Sequence, residues 1–392
     1  MSTTMPPRWL QGMDPQSIEA LARVREAGCV SLYVPASPLG ADSDLARIGL
    51  KDVLRDAVTQ LEAAGADESV VGAVVASVTG LLEDPAAWRH QWHGLVVLAS
   101  ATRLVAHPLP VTVSASAHVA DRFHLTPLLA AVHAADAFLV LALAQDSVRL
   151  VAVGADDSAS SLEVPGMPAD LRSATALDLT NDRQTYAHLQ TSEDPKLRML
   201  EYSRAIDRAL NDDPGVPDWP LVIAAAEPLA SIFRSASTRP GLVPTTIDGN
   251  PERTSDHDLA AGGRPHVAAL RAREAEHLAA DYEENVGAGR TATDLSEVAR
   301  SATEGAIRTL FFDGDADVPG VVDERDGTIA PAQQDDAGNY CIVDEVVRRA
   351  LLTGALLVPS TAVPVPGGGA VAAILRYTTG MAPGVPGRGL TG

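Results

Sequence analysis

Apolar residues recur at helical spacing in SIEALARVREAG, where Ile18, Leu21 and Val24 share a face and Gly28 closes the segment, so a helix is expected over 17–28. CVSLYVPAS follows as an apolar run that predicts a short strand stopped at Pro35. Two more helices are expected from Asp44 to Ala64 and from Glu68 to Leu82, and HGLVVLAS and TRLVAHPLP then have the pattern of strands. Farther along, AFLVLALAQ and SVRLVAVGA predict two strands around a tight turn near Asp146. Met199, Tyr202, Ile206 and Leu210 form the apolar stripe of a helix from Pro195 to Asn211, with Ser192 as its N-cap and Glu193 and Asp194 complementing its dipole. WPLVIAAAE predicts a buried strand and then a helix through Ser235, whereas RPGLVPTTIDGNPERTSDHD is rich in turn formers and is expected to be a loop. Gly262 and Gly263 are expected to mark a boundary ahead of a long helix carrying Val267, Leu270, Leu278 and Tyr282. DLSEVARSATEGAIRTLFFD predicts a helix and a strand; a helix from Ile342 to Thr353 and the strands ALLVPS and AVAAILRY complete the pattern. Strands alternating with helices imply α/β units throughout.

Composition changes this picture in three respects. The 392 residues exceed what one hydrophobic core usually serves, so two or three domains are expected, and with only 4% aromatic residues their cores must be aliphatic. The net charge is −21 and each third of the chain is acidic, which argues against avid, sequence-independent binding to naked DNA or RNA, because such binding rests on phosphate neutralisation. A local arginine cluster remains compatible with docking on a structured RNA. Cys29 and Cys341 have no CxxC or Cys/His spacing around them, which argues against a disulfide framework and a zinc finger. MSTTMPPRWLQGMDP lacks the basic-then-apolar order of a secretory signal, and the uncharged run from Ala350 to Leu375 is broken by Pro359, Pro364, Pro366 and three glycines. A cytoplasmic protein without a membrane segment is therefore expected.

Local motifs offer little chemistry. In FDGDADVPGVVDE, Asp313, Asp315, Asp317 and Glu324 occupy the first, third, fifth and twelfth positions of a calcium loop, but Val318 stands where that loop needs glycine. A solvated acidic loop is the expectation. VPGGGAVAAILRY lacks the Gly-Lys-Ser/Thr of a phosphate loop and is expected to be a turn before a strand. His90 and His93 are spaced for a metal but have no evident third ligand, and no GxSxG or SxxK is present. No cofactor is expected.

The order of segments nevertheless resembles the archaeo-eukaryotic class-1 peptide chain release factor and Pelota family, and more closely its bacterial relatives. LARVREAGCVSLYVP, HGLVVLAS and DRFHLTPLL resemble the N-terminal domain of that family; AFLVLALAQDSVRLVAVG and WPLVIAAAEPLASIFR resemble its middle domain; DLSEVARSATEGAIRTLFFD, VDEVVRRALLTGALLVPS and PGGGAVAAILRY are similar to its C-terminal domain. The resemblance implies an α/β N-terminal domain over 1–133, an RNase H-like middle domain over 134–261, and a C-terminal α/β/α domain of the kink-turn-RNA-binding ribosomal protein type over 262–392.

It also implies a ribosomal partner, both rRNA and ribosomal proteins, and raises the question of a translational GTPase; DNA and membranes are not implied. Where the family carries Asn-Ile-Lys-Ser for stop-codon reading, this chain has IGLKD, in which Lys51 matches. Where the family carries its catalytic Gly-Gly-Gln, this chain has TNDRQTYAHLQTSEDPK in a stretch of 48 residues, from Met167 to Pro214, that contains no glycine. Ester hydrolysis there needs a backbone able to approach the tRNA end closely, which Tyr186 and His188 oppose. Gln184 and Gln190 are the catalytic candidates if hydrolysis persists; Lys51, Arg183, His188, Lys196, Arg198, Arg204 and Arg208 are the RNA-contact candidates. The expectation is a non-catalytic ribosome-binding factor acting at the A site in rescue, hibernation or stress protection. A peptidyl-tRNA hydrolase with a divergent glutamine loop, or an interaction scaffold that has left the ribosome, are the alternatives.

Overall fold

The computed structural model describes residues 15–36, 43–84, 88, 93–109, 111–133, 137–154, 158–177, 195–213, 215–217, 219–332 and 339–377. The fold is mixed α/β with several sheets, and the chain divides into two compact units: Met1–Ala135 together with Ala275–Gly392, and Asp136–Glu274.

In the first unit, α1 (Pro15–Ala22) leads to β1 (Cys29–Pro35), α2 (Ser43–Ala63) and α3 (Glu68–Glu83), then β2 (Gly94–Ala99), β3 (Leu104–Leu109), β4 (Ser116–Ala120) and α4 (Thr126–His133). The strands form an antiparallel sheet in the order β3-β2-β1-β4. Because side chains alternate across a strand, Val30, Leu32 and Val34 bury against α2 and α3, while Cys29 and Tyr33 enter the core on the other face. The expected first helix stops short, at Ala22: the Glu26 N–H is taken by the carbonyl of Asp121 and so leaves the helical ladder.

The second unit contains β5 (Phe138–Leu143), β6 (Val148–Val153), β7 (Ala159–Leu162), α5 (Leu171–Leu177), α6 (Pro195–Asp212), β8 (Leu221–Ala225), α7 (Leu229–Ala236) and β9 (Leu242–Asp248). Its sheet runs β7-β6-β5-β8-β9, with β5, β6 and β7 antiparallel and β5, β8 and β9 parallel. Leu139, Leu141 and Leu143 pack on α6 and α7; Phe138, Val140 and Ala142 pack on α8 (Asp256–Gly287).

Two expectations change here. The segment expected to be a loop after Arg239 contains β9, an edge strand, and edges tolerate Pro244 and the threonines that made it look turn-like. Gly262 and Gly263 lie inside the 32-residue α8 instead of at a boundary. A Cβ on Gly263 would stand 2.5 Å from Phe138 Cε2, so the missing side chain lets the helix approach the sheet closely.

The first unit continues after α8 with β10 (Thr291–Ala292), α9 (Leu295–Thr303), β11 (Ile307–Phe312), β12 (Pro319–Val322), β13 (Ile329–Pro331), β14 (Tyr340–Cys341), α10 (Ile342–Leu352), β15 (Leu356–Pro359) and β16 (Val371–Leu375). A four-stranded sheet has the order β10-β16-β11-β15, and a smaller one has β13-β12-β14. Leu310 and Phe312 of β11 share one buried cluster with Tyr33, Phe123 and Leu128 from the N-terminal segment. The first and last thirds of the chain are therefore joined through a common core.

Candidate nucleic-acid interface

Helix α6 has two unlike faces. Met199, Tyr202, Ile206 and Leu210 are buried, and Tyr202 donates to the carbonyl of Ala144 at 3.1 Å. Asp207 is also turned inward, at 6% exposure, where it accepts from Ser237 Oγ at 2.6 Å, Thr238 N at 3.0 Å and Thr238 Oγ1 at 2.8 Å. Arg239 caps the end of the helix by donating to the Leu210 carbonyl at 3.1 Å. On the solvent side Lys196, Arg198, Arg204 and Arg208 are all exposed. Because Asp207 is buried and engaged by hydroxyls, the acids left to oppose these four cations on the helix are the partly buried Glu201 and the exposed Asp212. A protein with net charge −21 thus presents a locally basic helical face.

Lys51 is exposed on α2, beside an Asp52–Arg55 ion pair at 3.0 Å. Arg183, Gln184, His188 and Gln190, with most of the 180–195 loop, lie outside the described residues, as does His90. The four acids with calcium-loop spacing are not brought together. Asp313 Oδ1 accepts from the Asp315 N–H at 3.2 Å and from Ser360 Oγ at 3.2 Å, and β12 intervenes before Glu324. Among the described residues no three His, Cys, Asp or Glu side chains stand where they could hold a metal. Residues 366–368 form a short turn before β16, with Gly367 and Gly368 at φ of 81° and 69°, conformations that L side chains resist.

The densest arrangement of charge is one that local patterns did not reveal. Glu345, with a side chain 0% exposed, accepts from Arg122 Nη1 at 2.6 Å, Arg348 Nε at 2.7 Å, Arg349 Nε at 2.7 Å and Arg348 Nη2. Burial pushes its carboxyl up, but Arg348, Arg122 and Arg349 outweigh that and hold it at about 2. Beside it Asp344 Oδ1 accepts from Leu125 N at 2.6 Å and from Thr126 N and Oγ1 at 2.7 Å, capping α4 from across the fold. Arg122 also stacks on Tyr340 at 3.9 Å and pairs with Asp121 at 2.6 Å. The Glu345–Arg349 spacing is visible in VDEVVRR, but its partner Arg122 is 223 residues away, and no local pattern carries that distance.

Cys341 and Cys29 are buried, and burial raises both thiols to about 12, which leaves them protonated and unreactive.

Residues 134–273 match the family model described as bacterial archaeo-eukaryotic release factor family 11, and the match coincides with the second compact unit to within a few residues. No curated protein matches the chain. Among solved structures, the chain is similar to an archaeal translation termination factor, aRF1, at 16% identity, covering 92% of this chain and 96% of that one, with a TM-score of 0.23. Pelota from Archaeoglobus fulgidus is similar at 12% identity, 95% coverage of both chains and a TM-score of 0.28. A ribosome-bound archaeal Pelota with ABCE1 is similar at 11% identity, 94% of this chain and 95% of that one, and a TM-score of 0.36. The family match covers residues 134–273, and in that segment the chain is similar to the bacterial archaeo-eukaryotic release factors.

Proposed function

We propose that this chain is a ribosome-binding factor of the release-factor kind, which docks through RNA phosphates on the outer face of α6 and acts by occupancy instead of hydrolysis. The observation that carries this is the coincidence of the family match with the unit whose exposed helix bears Lys196, Arg198, Arg204 and Arg208. Helical arginines suit phosphates because each guanidinium offers a planar fork of donors. The sheet order β7-β6-β5-β8-β9, with β6 antiparallel to its neighbours, supports an RNase H-like middle domain that extends to residue 274. On this reading the N-terminal segment is decoding-like and faces the A site through Lys51, and the C-terminal segment is of the kink-turn-RNA-binding type. The glycine-free loop replaces the catalytic tripeptide, so peptidyl-tRNA is bound near but not cleaved. Rescue, hibernation or stress protection in the cytoplasm, with a translational GTPase as a further partner, is the biological setting this occupancy fits.

Co-sedimentation with ribosomes across a salt series tests the proposal. Association at low salt that weakens as salt rises, and that is lost when the four α6 cations are replaced by glutamine, is the expected result. Absence of ribosome association in growth, starvation and stalling conditions overturns it.

A further inference from the structure

The capacity of Glu345 is spent. An ionised carboxylate has about four lone-pair positions, and Arg122, Arg349 and both ends of the Arg348 fork take two on each oxygen. Arg25 approaches the same group but reaches Glu345 Oε2 only at 3.6 Å, beyond hydrogen-bond length. Among the described residues its one close bond is from Nη1 to the carbonyl of its neighbour Val24, at 2.8 Å. Arg348 likewise keeps Nη1 on a long 3.4 Å bond to the carbonyl of Ala22. Asp121 is engaged by two nitrogens of Arg122, and Asp344 by the N-terminus of α4. Four guanidinium groups therefore face three carboxylates that are already committed, and the surplus falls on Arg25, with Nη1 of Arg348 the loosest donor beside it. The side chain of Arg25 is 31% exposed and that of Arg348 12%. Burial, then the charges of Arg348 and Arg122, lower the pKa of Arg25, and the charges of Glu345 and Asp121 offset that only in part.

We propose that Arg25 and Arg348 form an oxyanion site of the phosphate type, where the junction of the N-terminal and C-terminal segments reaches the surface. A tetrahedral oxyanion there receives the free donors of Arg25 and the loosely held Nη1 of Arg348, and supplies the negative charge that Glu345 can no longer share. The chemistry is that of a phosphate group, free or within a nucleic-acid backbone. The site is built entirely in the first unit, so it stands or falls separately from the role proposed for α6.

Inorganic phosphate is the probe, titrated into the full chain at constant ionic strength against chloride, with melting temperature and calorimetry as readouts. Phosphate is expected to raise the melting temperature above the chloride control, and Arg25→Gln to weaken phosphate binding by about tenfold or more. Arg25→Lys should keep part of the affinity, and Arg23→Gln, whose residue pairs with Glu19, should keep all of it. An unchanged far-ultraviolet spectrum for Arg25→Gln separates loss of the site from loss of the fold. A short single-stranded RNA then tells the sources apart: competition with phosphate assigns the site to a nucleic-acid backbone, and phosphate binding without competition assigns it to the free ion. A wild type that responds to phosphate no more than to chloride, or an Arg25→Gln variant that responds as the wild type does, overturns the proposal.

Discussion

The molecule uses arginine in two opposite ways. At the junction around Glu345, Arg122 and Arg349 are buried to 7% and 8% exposure and their charge is consumed inside the fold. On α6, Arg198, Arg204 and Arg208 face water, and Asp207, the acid that could have silenced them, is turned inward toward Ser237 and Thr238. The same side chain is structural where a carboxylate saturates it and available for a partner where none does. Position relative to carboxylates, and not abundance, separates scaffold from surface. This is why a net charge of −21 does not by itself forbid a basic contact.

The comparison breaks most sharply at Glu345. Glu345→Gln should cost about 3–5 kcal/mol, because it leaves buried guanidinium groups without their counter-ion. Urea unfolding is the measurement, and the loss should appear in the first unit while the α6 surface is untouched. Acid sharpens the same point. Glu345 has a folded-state pKa of about 2 against an ordinary 4.5, so its stabilising contribution is full above 4.5 and is lost as pH falls from there toward 2. Asp344 works with the opposite sign, since burial raises its pKa and its ionised form becomes costly as pH rises through the raised value. A pH series should show wild-type stability falling across that acid window, and a flatter profile for Glu345→Gln.

Gly263→Ala should cost about 1–3 kcal/mol in the second unit, through overpacking against Phe138, and a shifted thermal transition would report it. Replacing Lys196, Arg198, Arg204 and Arg208 together by glutamine should change stability by only about 0.5 kcal/mol per site or less, yet reduce RNA affinity and lower the salt slope by roughly one per lost contact. If that variant unfolds while its RNA binding per folded molecule is unchanged, the distinction between the two regions fails. The smallest expected effect is none: alanine at Gln184 or Gln190 should leave peptide release from stalled ribosomes at the background level, and any release abolished by either change would restore the hydrolase alternative.

Elements with a strong local period were legible. The runs around Leu32, Val96, Leu141 and Ile223 are strands because β-branched and leucine residues fill fully buried positions there, and the stripe of α6 followed from a 3.6-residue period. The edge strand β9 was not, since an edge needs only Val243 buried and can carry prolines and threonines. Gly262 and Gly263 misled because a glycine that permits close packing is indistinguishable in sequence from one that ends an element. Of the candidate site, the cations of α6 were visible as residues, but their freedom from Asp207 was not. That depends on Ser237 and Thr238, about thirty positions downstream. The Glu345 junction was legible only in its local half, Arg348 and Arg349, because Arg122 lies 223 residues away.

That separation has a consequence for the order in which the protein can be made. Arg122 emerges 223 residues before its buried partner Glu345. At about 5–20 residues per second, the ribosome making this chain leaves the N-terminal segment waiting roughly 10–45 seconds with the α4 end uncapped and part of its core unfilled. The intervening unit, whose sheet and helices lie within 136–274, can close in that interval. The middle of the protein is thus expected to close before the core shared by the first and last segments does, although the sheet face packed on α2 and α3 can form from the first segment alone.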